Sequence, residues 1–311
     1  QKTDEENPKK ISFKNIMFGC TGTIGEIFPT TKIKNSIPDL LSKIKYSQNK
    51  YIWTKAALGI MTTDLVPKLA MGECKIGNTP VKIYGIAKGS GMIHPNMATM
   101  LVYIFIDAIV PKNILKKLVK NNLENTFNSI SNDSDTSTSD TLVLFSLKKI
   151  KIDFNIKKNF AILNTGLFSV MKDLALKVVK DGEGITKLVK ANVSGAKSIK
   201  QSKNIALSII NSPLVKTAIS GEDANWGRII MAIGKTKEKI NQNKLIISFG
   251  KYIVCKFGSI NQKIKIKELN KYMKNHLIEI NVNLNNGNYS STVYGNDLSY
   301  EYIRINADYR S

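Results

Sequence analysis

The stretch KGSGMIHPNMATML (residues 88–101) packs glycines, a proline and a lysine together and then enters TMLVYIFIDAIV (residues 99–110), an almost unbroken apolar run. Such a run suits a strand covered on both faces, with the hydroxyl residue Thr99 at its mouth. A cut between Ala98 and Thr99 gives Thr99 a free α-amino group beside its own hydroxyl. An α-amine titrates at about 7.7–8.0, so part of it is neutral near pH 7 and can take a proton. A threonine hydroxyl activated by its own terminal amine is a known type of nucleophile. It needs no imidazole, and the chain has only two histidines, His94 and His276. Before any cut, the same hydroxyl could attack the Ala98 carbonyl if the loop is strained. The plainer alternative is a threonine that simply packs at a strand start.

A nucleophile needs donors aimed at the developing oxyanion. CTGTIG (residues 20–25) offers the Thr21 hydroxyl and the Gly22 N–H, although an ordinary glycine turn reads the same way. MTTD (residues 61–64) places two hydroxyls and a carboxylate where an α/β protein often binds ligands, or else supplies a helix cap from Thr63 or Asp64. DGEG (residues 181–184) sets Glu183 between glycines, as a site carboxylate or a solvated turn. NWGRI (residues 225–229) fits a tight turn with Trp226 packed on a core, and Lys88 brings a cation close in sequence to Thr99.

Patterning predicts the elements that hold these residues. NIMFGCTGTIGEIFP reads as a short strand entering a turn, IPDLLSKIKY as a helix, and YIWTKAALGIMTTD as ending in a strand with a polar tip. VKIYGIAKG and TMLVYIFIDAIV are strands. Pro111 suits the start of the next helix, with Leu115, Val119, Leu123 and Phe127 four apart on one face. SDTSTSDTLVLFS is a loop and then a strand, and FSVMKDLALKVVK is a helix stopping at Asp181-Gly182. Beyond it ITKLVKANVSG, RIIMAIG and KLIISFGKYIV read as strands and NIALSIINSPLV as helical. In LIEINVNLNNGNYSSTVYG, Ile278, Ile280, Val282 and Leu284 alternate and Asn286-Gly287 predicts a hairpin turn. The fold class is mixed α/β (α+β). A larger first domain over residues 1–184 carries the candidate cleavage point, and a smaller β-rich domain covers residues 185–311.

A length of 311 residues with 42% hydrophobic content is globular in class. No apolar run reaches membrane-spanning length, and the polar opening QKTDEENPKK does not read as a secretory signal. The net charge of +22 arises from lysines scattered through most elements, without an arginine cluster. It therefore reads as composition bias, not as a nucleic-acid footprint. Cys20, Cys74 and Cys255 are odd in number and far apart, which argues against a zinc site or disulfide framework and for a cytoplasmic setting.

Taken in order, CTGTIGEIFP, GIMTTDLVPK, AKGSGMIHPNMATML, DSDTSTSDT, DGEGITKLV, NSPLVKTAISGEDANWGRI and YEYIRINADYRS closely resemble the ornithine acetyltransferase family, also called glutamate N-acetyltransferase, of arginine biosynthesis. The resemblance implies a self-processing fold that cleaves between Ala98 and Thr99 into α and β chains. Thr99 is then the nucleophile that carries the acetyl group, and Thr21 and Gly22 form the oxyanion hole. Substrate contacts carry over to Thr62, Lys88, Thr99, Glu183, Asn306 and Ser311. Chemically, Lys88 can pair with a carboxylate and Glu183 with an ammonium, while Asn306 and Ser311 complete a polar pocket. The implied reaction is ping-pong, from N2-acetyl-L-ornithine to L-glutamate, with acetyl-CoA as a further co-substrate in some members. No metal or prosthetic group is expected. The implied assembly is a heterotetramer of two α and two β chains, with no nucleic-acid or membrane partner.

Three departures stand out. Cys20 replaces a usual serine, and His94 replaces a usual small residue and is read as a loop variant, not a base. Family members also carry a sizeable α/β segment before the first motif, where only residues 1–19 precede it here. A fragment or a reduced chain is the expectation, with sheet edges and core exposed. The rivals are a self-processing aminopeptidase or amidase, whose acyl-enzyme is hydrolysed, and a truncated inactive or basic binding protein.

Overall fold

The computed structural model describes residues 16–43, 50–94 and 100–308. Residues 16–29 carry no helix or strand, so the short strand expected around Cys20 is replaced by irregular chain. Its one tight turn is closed by Glu26 N–H donating to Thr23 O at 3.2 Å, with Gly25 at φ +85°. Helix α1 (Thr30–Lys43) follows, longer at its start than the helix expected from IPDLLSKIKY. Helix α2 (Lys50–Gly59) stands where a strand was expected. Trp53 and Ala57, four apart, decide this. Ala57 is fully buried, and the Trp53 ring stacks on Tyr84 at 5.7 Å and meets Phe105 edge-on at 5.1 Å. A strand would send residues of that spacing to one face without the turn-by-turn contact a helix gives.

Four strands make the first sheet, in the order β1 (Lys68–Ile76), β2 (Thr79–Lys88), β3 (Leu101–Ile109) and β4 (Thr141–Lys151). The first two pairings are antiparallel and β3–β4 is parallel. A parallel step needs a crossover, and α3 (Lys112–Leu123) provides it after Pro111. Helix α4 (Lys157–Lys180) then covers β1 and β2. It buries Leu163, Leu167, Val170, Met171, Leu174, Ala175, Val178 and Val179, an apolar face at helical spacing. Gly85 lets it approach closely, since a Cβ there would meet Leu174 at 2.7 Å. The β3 run is buried as its composition demands, with Val102, Ile104, Ile106 and Ala108 fully enclosed.

The second sheet is built from β5 (Leu188–Ala196), β6 (Ile246–Phe249), β7 (Tyr252–Lys256), β8 (Ser259–Ile260), β9 (Leu277–Asn283) and β10 (Tyr289–Asn296), in the order β10-β5-β9-β6-β7-β8. Helices α5 (Ile199–Ile210), α6 (Pro213–Ser220), α7 (Trp226–Gly234) and α8 (Ile266–Met273) accompany it, and α9 (Tyr300–Asp308) closes the described chain. The expected hairpin at Asn286-Gly287 does not form. Strand β5 lies between β9 and β10, parallel to one and antiparallel to the other. The bend instead wraps the end of β5: Leu284 and Asn286 donate to Ser194 O and Gly195 O, and a Cβ at Gly287 would lie 2.2 Å from Ala196 O. RIIMAIG is helical, not a strand, because Asn225 caps Arg228 N–H at 3.2 Å and Ile229, Ala232 and Ile233 fall on one buried face.

Each sheet has its own apolar core. They meet where Ile130 bridges Tyr294 and Ser131 N–H donates to Tyr294 O at 2.9 Å. Residues 16–43 contribute to neither core, and Ile33, Ile37, Leu40 and Leu41 of α1 are exposed. Among the described residues no helix is long and apolar enough to cross a membrane.

Candidate active site

A cavity of about 180 Å³ opens where strand ends, loops and the last helix converge, and Thr21, Gly22, Thr62, Lys88, Glu183 and Asn306 all line it. They come from five places. Thr21 and Gly22 lie on the irregular stretch before α1, Thr62 in the bend after α2, and Lys88 at the end of β2. Glu183 follows α4 and Asn306 sits on α9. Ala98, Thr99 and Ser311 lie outside the described residues. Their described neighbour Met100 is buried at the entry to β3, and Lys88 pairs with Leu101 across the ladder.

Lys88 is only 2% exposed, and its ammonium donates to Thr62 Oγ1 at 2.8 Å. Burial pulls its pKa below the usual lysine range, and the charge of nearby Lys68 acts in the same direction, against the carboxylates of Asp64 and Glu183. Glu183 is likewise buried, correcting the solvated-turn alternative. Its Oε2 accepts from Asn306 Nδ2 at 2.8 Å, and the carboxylate lies flat over Gly91, where any Cβ would meet it at 2.5–2.7 Å. Gly184, at φ +63°, turns the chain so closely under α9 that a Cβ would lie 2.4 Å from Tyr302 N. One cation and one carboxylate thus face a single small cavity, an arrangement suited to a zwitterionic amino-acid ligand.

Below the cavity runs a polar framework that the sequence reading left without a role. Lys68 is buried between Asp64 at 2.5 Å and Asp181 at 2.6 Å. Asp64 also accepts from Gly89 N–H at 2.7 Å and Thr62 N–H at 3.1 Å, gripping both sides of the Lys88–Thr62 contact. Burial alone would raise the Asp64 carboxyl, but those N–H groups and the Lys68 ammonium together hold it below its ordinary value. Asp181 further accepts from the Leu65 and Val66 N–H groups, tying the end of α4 to the bend after α2. Ser90 donates to Asp181 O at 2.5 Å, and Asn132 Nδ2 donates to Ser90 O. Asp133 receives the Met92 and Ile93 N–H groups at 2.5 and 2.9 Å, and burial drives its pKa up to about 6.

Asp64, Lys68, Ser90, Asp133 and Asp181 all fall within quoted motifs, but only Asp64 and Asp181 carry a local reading there, as a cap and a helix stop. Lys68 gave no signal, because one lysine among so many carries none. Ser137, Thr138 and Ser139 complete the cavity wall with hydroxyls. His94 does not line it; its Nδ1 faces Asn211 Nδ2 at 3.0 Å and Ser131 Oγ at 3.3 Å, and burial lowers its pKa. Among the described residues no group of three or more His, Cys, Asp or Glu side chains is placed to hold a metal ion.

Comparison with known proteins identifies the family. The model of the ArgJ family matches residues 2–311. The arginine biosynthesis bifunctional protein ArgJ of Brucella melitensis biotype 1 is 43% identical over 319 aligned residues, covering 100% of this chain and 76% of the relative. That of Mesorhizobium japonicum is 43% identical, covering 95% and 72%. A crystal structure of the Bacillus halodurans protein of the same name superposes with a TM-score of 0.61 at 35% identity, over 65% of this chain and 96% of the other. The chain that brings these motif residues around one cavity belongs to the ArgJ family.

Proposed function

We propose that the protein is an acyltransferase of arginine biosynthesis that moves an acetyl group from N2-acetyl-L-ornithine to L-glutamate through an acetyl ester on Thr99. The observation that carries this reading is the convergence of six motif residues from five separate segments on one cavity whose charged walls are Lys88 and Glu183. In the first event the Thr99 hydroxyl attacks the Ala98 carbonyl. The peptide C–N bond gives way to an ester, which frees the Thr99 amine, and water hydrolyses that ester to an Ala98 carboxylate and the free Thr99 hydroxyl. That amine then takes the hydroxyl proton as Thr99 Oγ adds to the acetyl carbonyl of N2-acetylornithine. The Thr21 hydroxyl and Gly22 N–H meet the oxyanion. Collapse breaks the acetyl C–N bond, the proton passes to the departing nitrogen, and ornithine leaves. The glutamate amine repeats the steps in reverse and restores Thr99.

Lys88 takes the substrate carboxylate and Glu183, steadied by Asn306, takes an ammonium, with Thr62 fixing the Lys88 head. Ser311 completes the polar contacts. The scheme uses no metal or prosthetic group, admits acetyl-CoA as an alternative acetyl donor, and operates in a cytoplasmic α₂β₂ assembly.

The test is intact-mass analysis of the purified protein before and after incubation with N2-acetylornithine. Two fragments, split between Ala98 and Thr99, with one acetyl group on the second, are expected. Thr99→Ala should give one uncut, unacetylated chain. A cut and active Thr99→Ala sinks the scheme. Acetyl loss to water at the same rate with and without glutamate would replace transferase by amidase.

A further inference from the structure

The lead-in to β3 is gripped on both sides of one residue. Met100 N–H donates to Asp140 Oδ1 at 2.9 Å, and Met100 O accepts from Thr141 N–H at 3.0 Å. The parallel ladder to β4 begins at the next residue, Leu101 opposite Thr141. Met100 is itself buried. The N–H that Asp140 holds belongs to the peptide joining Met100 to Thr99. Fixing that peptide plane leaves the nucleophile only its own backbone and side-chain torsions.

Asp140 is an expensive residue to keep there. It borders a small apolar cavity lined by Met100, Val102, Leu123, Phe127 and Leu142. Its Oδ2 is buried with no hydrogen-bond partner among the described residues. A half-satisfied buried carboxyl costs stability, and a group of that kind calls for an explanation. The explanation lies in what a cut does to the chain. New termini fray unless tied down, whereas an attacking group must stay within about 0.5 Å of its productive place. The Thr141 bond restrains only the far side of Met100. The bond to Asp140 is the tie on the side facing the nucleophile.

We propose that Asp140 is the positioning residue of the nucleophile: after the cut between Ala98 and Thr99, its hydrogen bond to Met100 N–H holds the new terminus in reacting register. The proposal rests on the reading of Thr99 given above. In this role Asp140 acts through the Met100 N–H.

The experiment compares the wild-type chain with Asp140→Ala, which loses the acceptor, and Asp140→Asn, which keeps one. Rates are normalised to the cut fragment that begins at Thr99. Asp140→Ala should lower kcat roughly 10- to 100-fold, the scale of misplacing a reacting group by about 1 Å. KM for N2-acetylornithine and for glutamate should stay within about threefold, because the groups that bind substrate are untouched. Asp140→Asn should recover most of kcat. A cut Asp140→Ala with normal kcat overturns the proposal, and so does a loss expressed only in KM.

Should the alanine variant not fold, amide exchange on the cut wild-type protein decides. A slowly exchanging Met100 amide supports the tie, and exchange at the rate of a frayed end overturns it. A wild type that is not cut, or is cut but never acetylated, removes the Thr99 reading and this proposal with it. A wild type that does both beside an unaffected Asp140→Ala removes this proposal alone.

Discussion

At the residue scale the cavity rests on a few side chains whose partners are distant in sequence. Thr21 is half-buried at the cavity wall, and the proposed reaction gives its hydroxyl the developing oxyanion to meet. Thr21→Ala should slow turnover by roughly 10²–10³-fold with little change in KM, measured as steady-state transfer to glutamate; near-normal rates place the oxyanion elsewhere. Asp133 offers a titration signature. Its carboxyl sits at about 6 in the fold, against 3.8 ordinarily, because burial outweighs the three backbone N–H groups that face it. Between those values the folded chain holds a proton the unfolded chain has lost, so this group makes stability fall as pH rises from about 4 to about 6. The slope is at most about 1.4 kcal/mol per pH unit. Urea unfolding of the wild type and Asp133→Asn across that window should show their stability difference drifting in this direction. A constant difference refutes the assignment.

At the scale of elements, the long periodic segments were legible and the short apolar ones were not. Leu101–Ile109 and FSVMKDLALKVVK are the strand and helix their patterns require, and Asp181-Gly182 does end the helix. RIIMAIG has as much β-branched character as a strand, and only the Asn225 cap and the neighbouring α5 make it a helix. The hairpin turn expected at Asn286-Gly287 is a bend whose strands separate to admit β5, a partner some ninety residues earlier that local turn chemistry cannot announce. One element junction controls the site directly. Gly184→Ala forces a left-handed residue and a 2.4 Å approach to the backbone of α9, the helix that carries Asn306. It should raise KM for both substrates and cost about 1–3 kcal/mol of stability, read by kinetics and denaturant titration. Unchanged KM with lowered stability would separate α9 from substrate binding.

At the scale of the whole molecule, a single buried ammonium pins the two sheets together beside the cavity. Lys216 of α6 donates to Asn132 O at 2.7 Å, to Asn296 Oδ1 at 2.9 Å and to Asn296 O, joining the loop before β4 to the end of β10. Burial lowers its pKa to about 8. Lys216→Met keeps the stem but strands three acceptors, and should lower unfolding free energy by about 2–4 kcal/mol. An unchanged denaturation midpoint would show that the remaining contacts, Ser131 N–H to Tyr294 O among them, suffice to join the halves. The exposed apolar side chains of α1 contrast with these enclosed cores, and they lie on the part of the chain that neither sheet organises.

What the sequence determined by itself was the chemistry available. It supplied a hydroxyl at a buried strand's mouth, donors in a glycine turn, and one cation and one carboxylate at loop positions, in an order that marks the ArgJ family. That information is local, carried by residue type and spacing along the chain. The tertiary structure decided which of these groups share a cavity and what lies behind them. Lys68 on Asp181, Asp133 under Met92, and Asp140 on Met100 are contacts across about forty to over a hundred residues. Burial made those carboxyls matter, because a charge acquires its pKa and its cost only from the low-dielectric surroundings the fold builds around it.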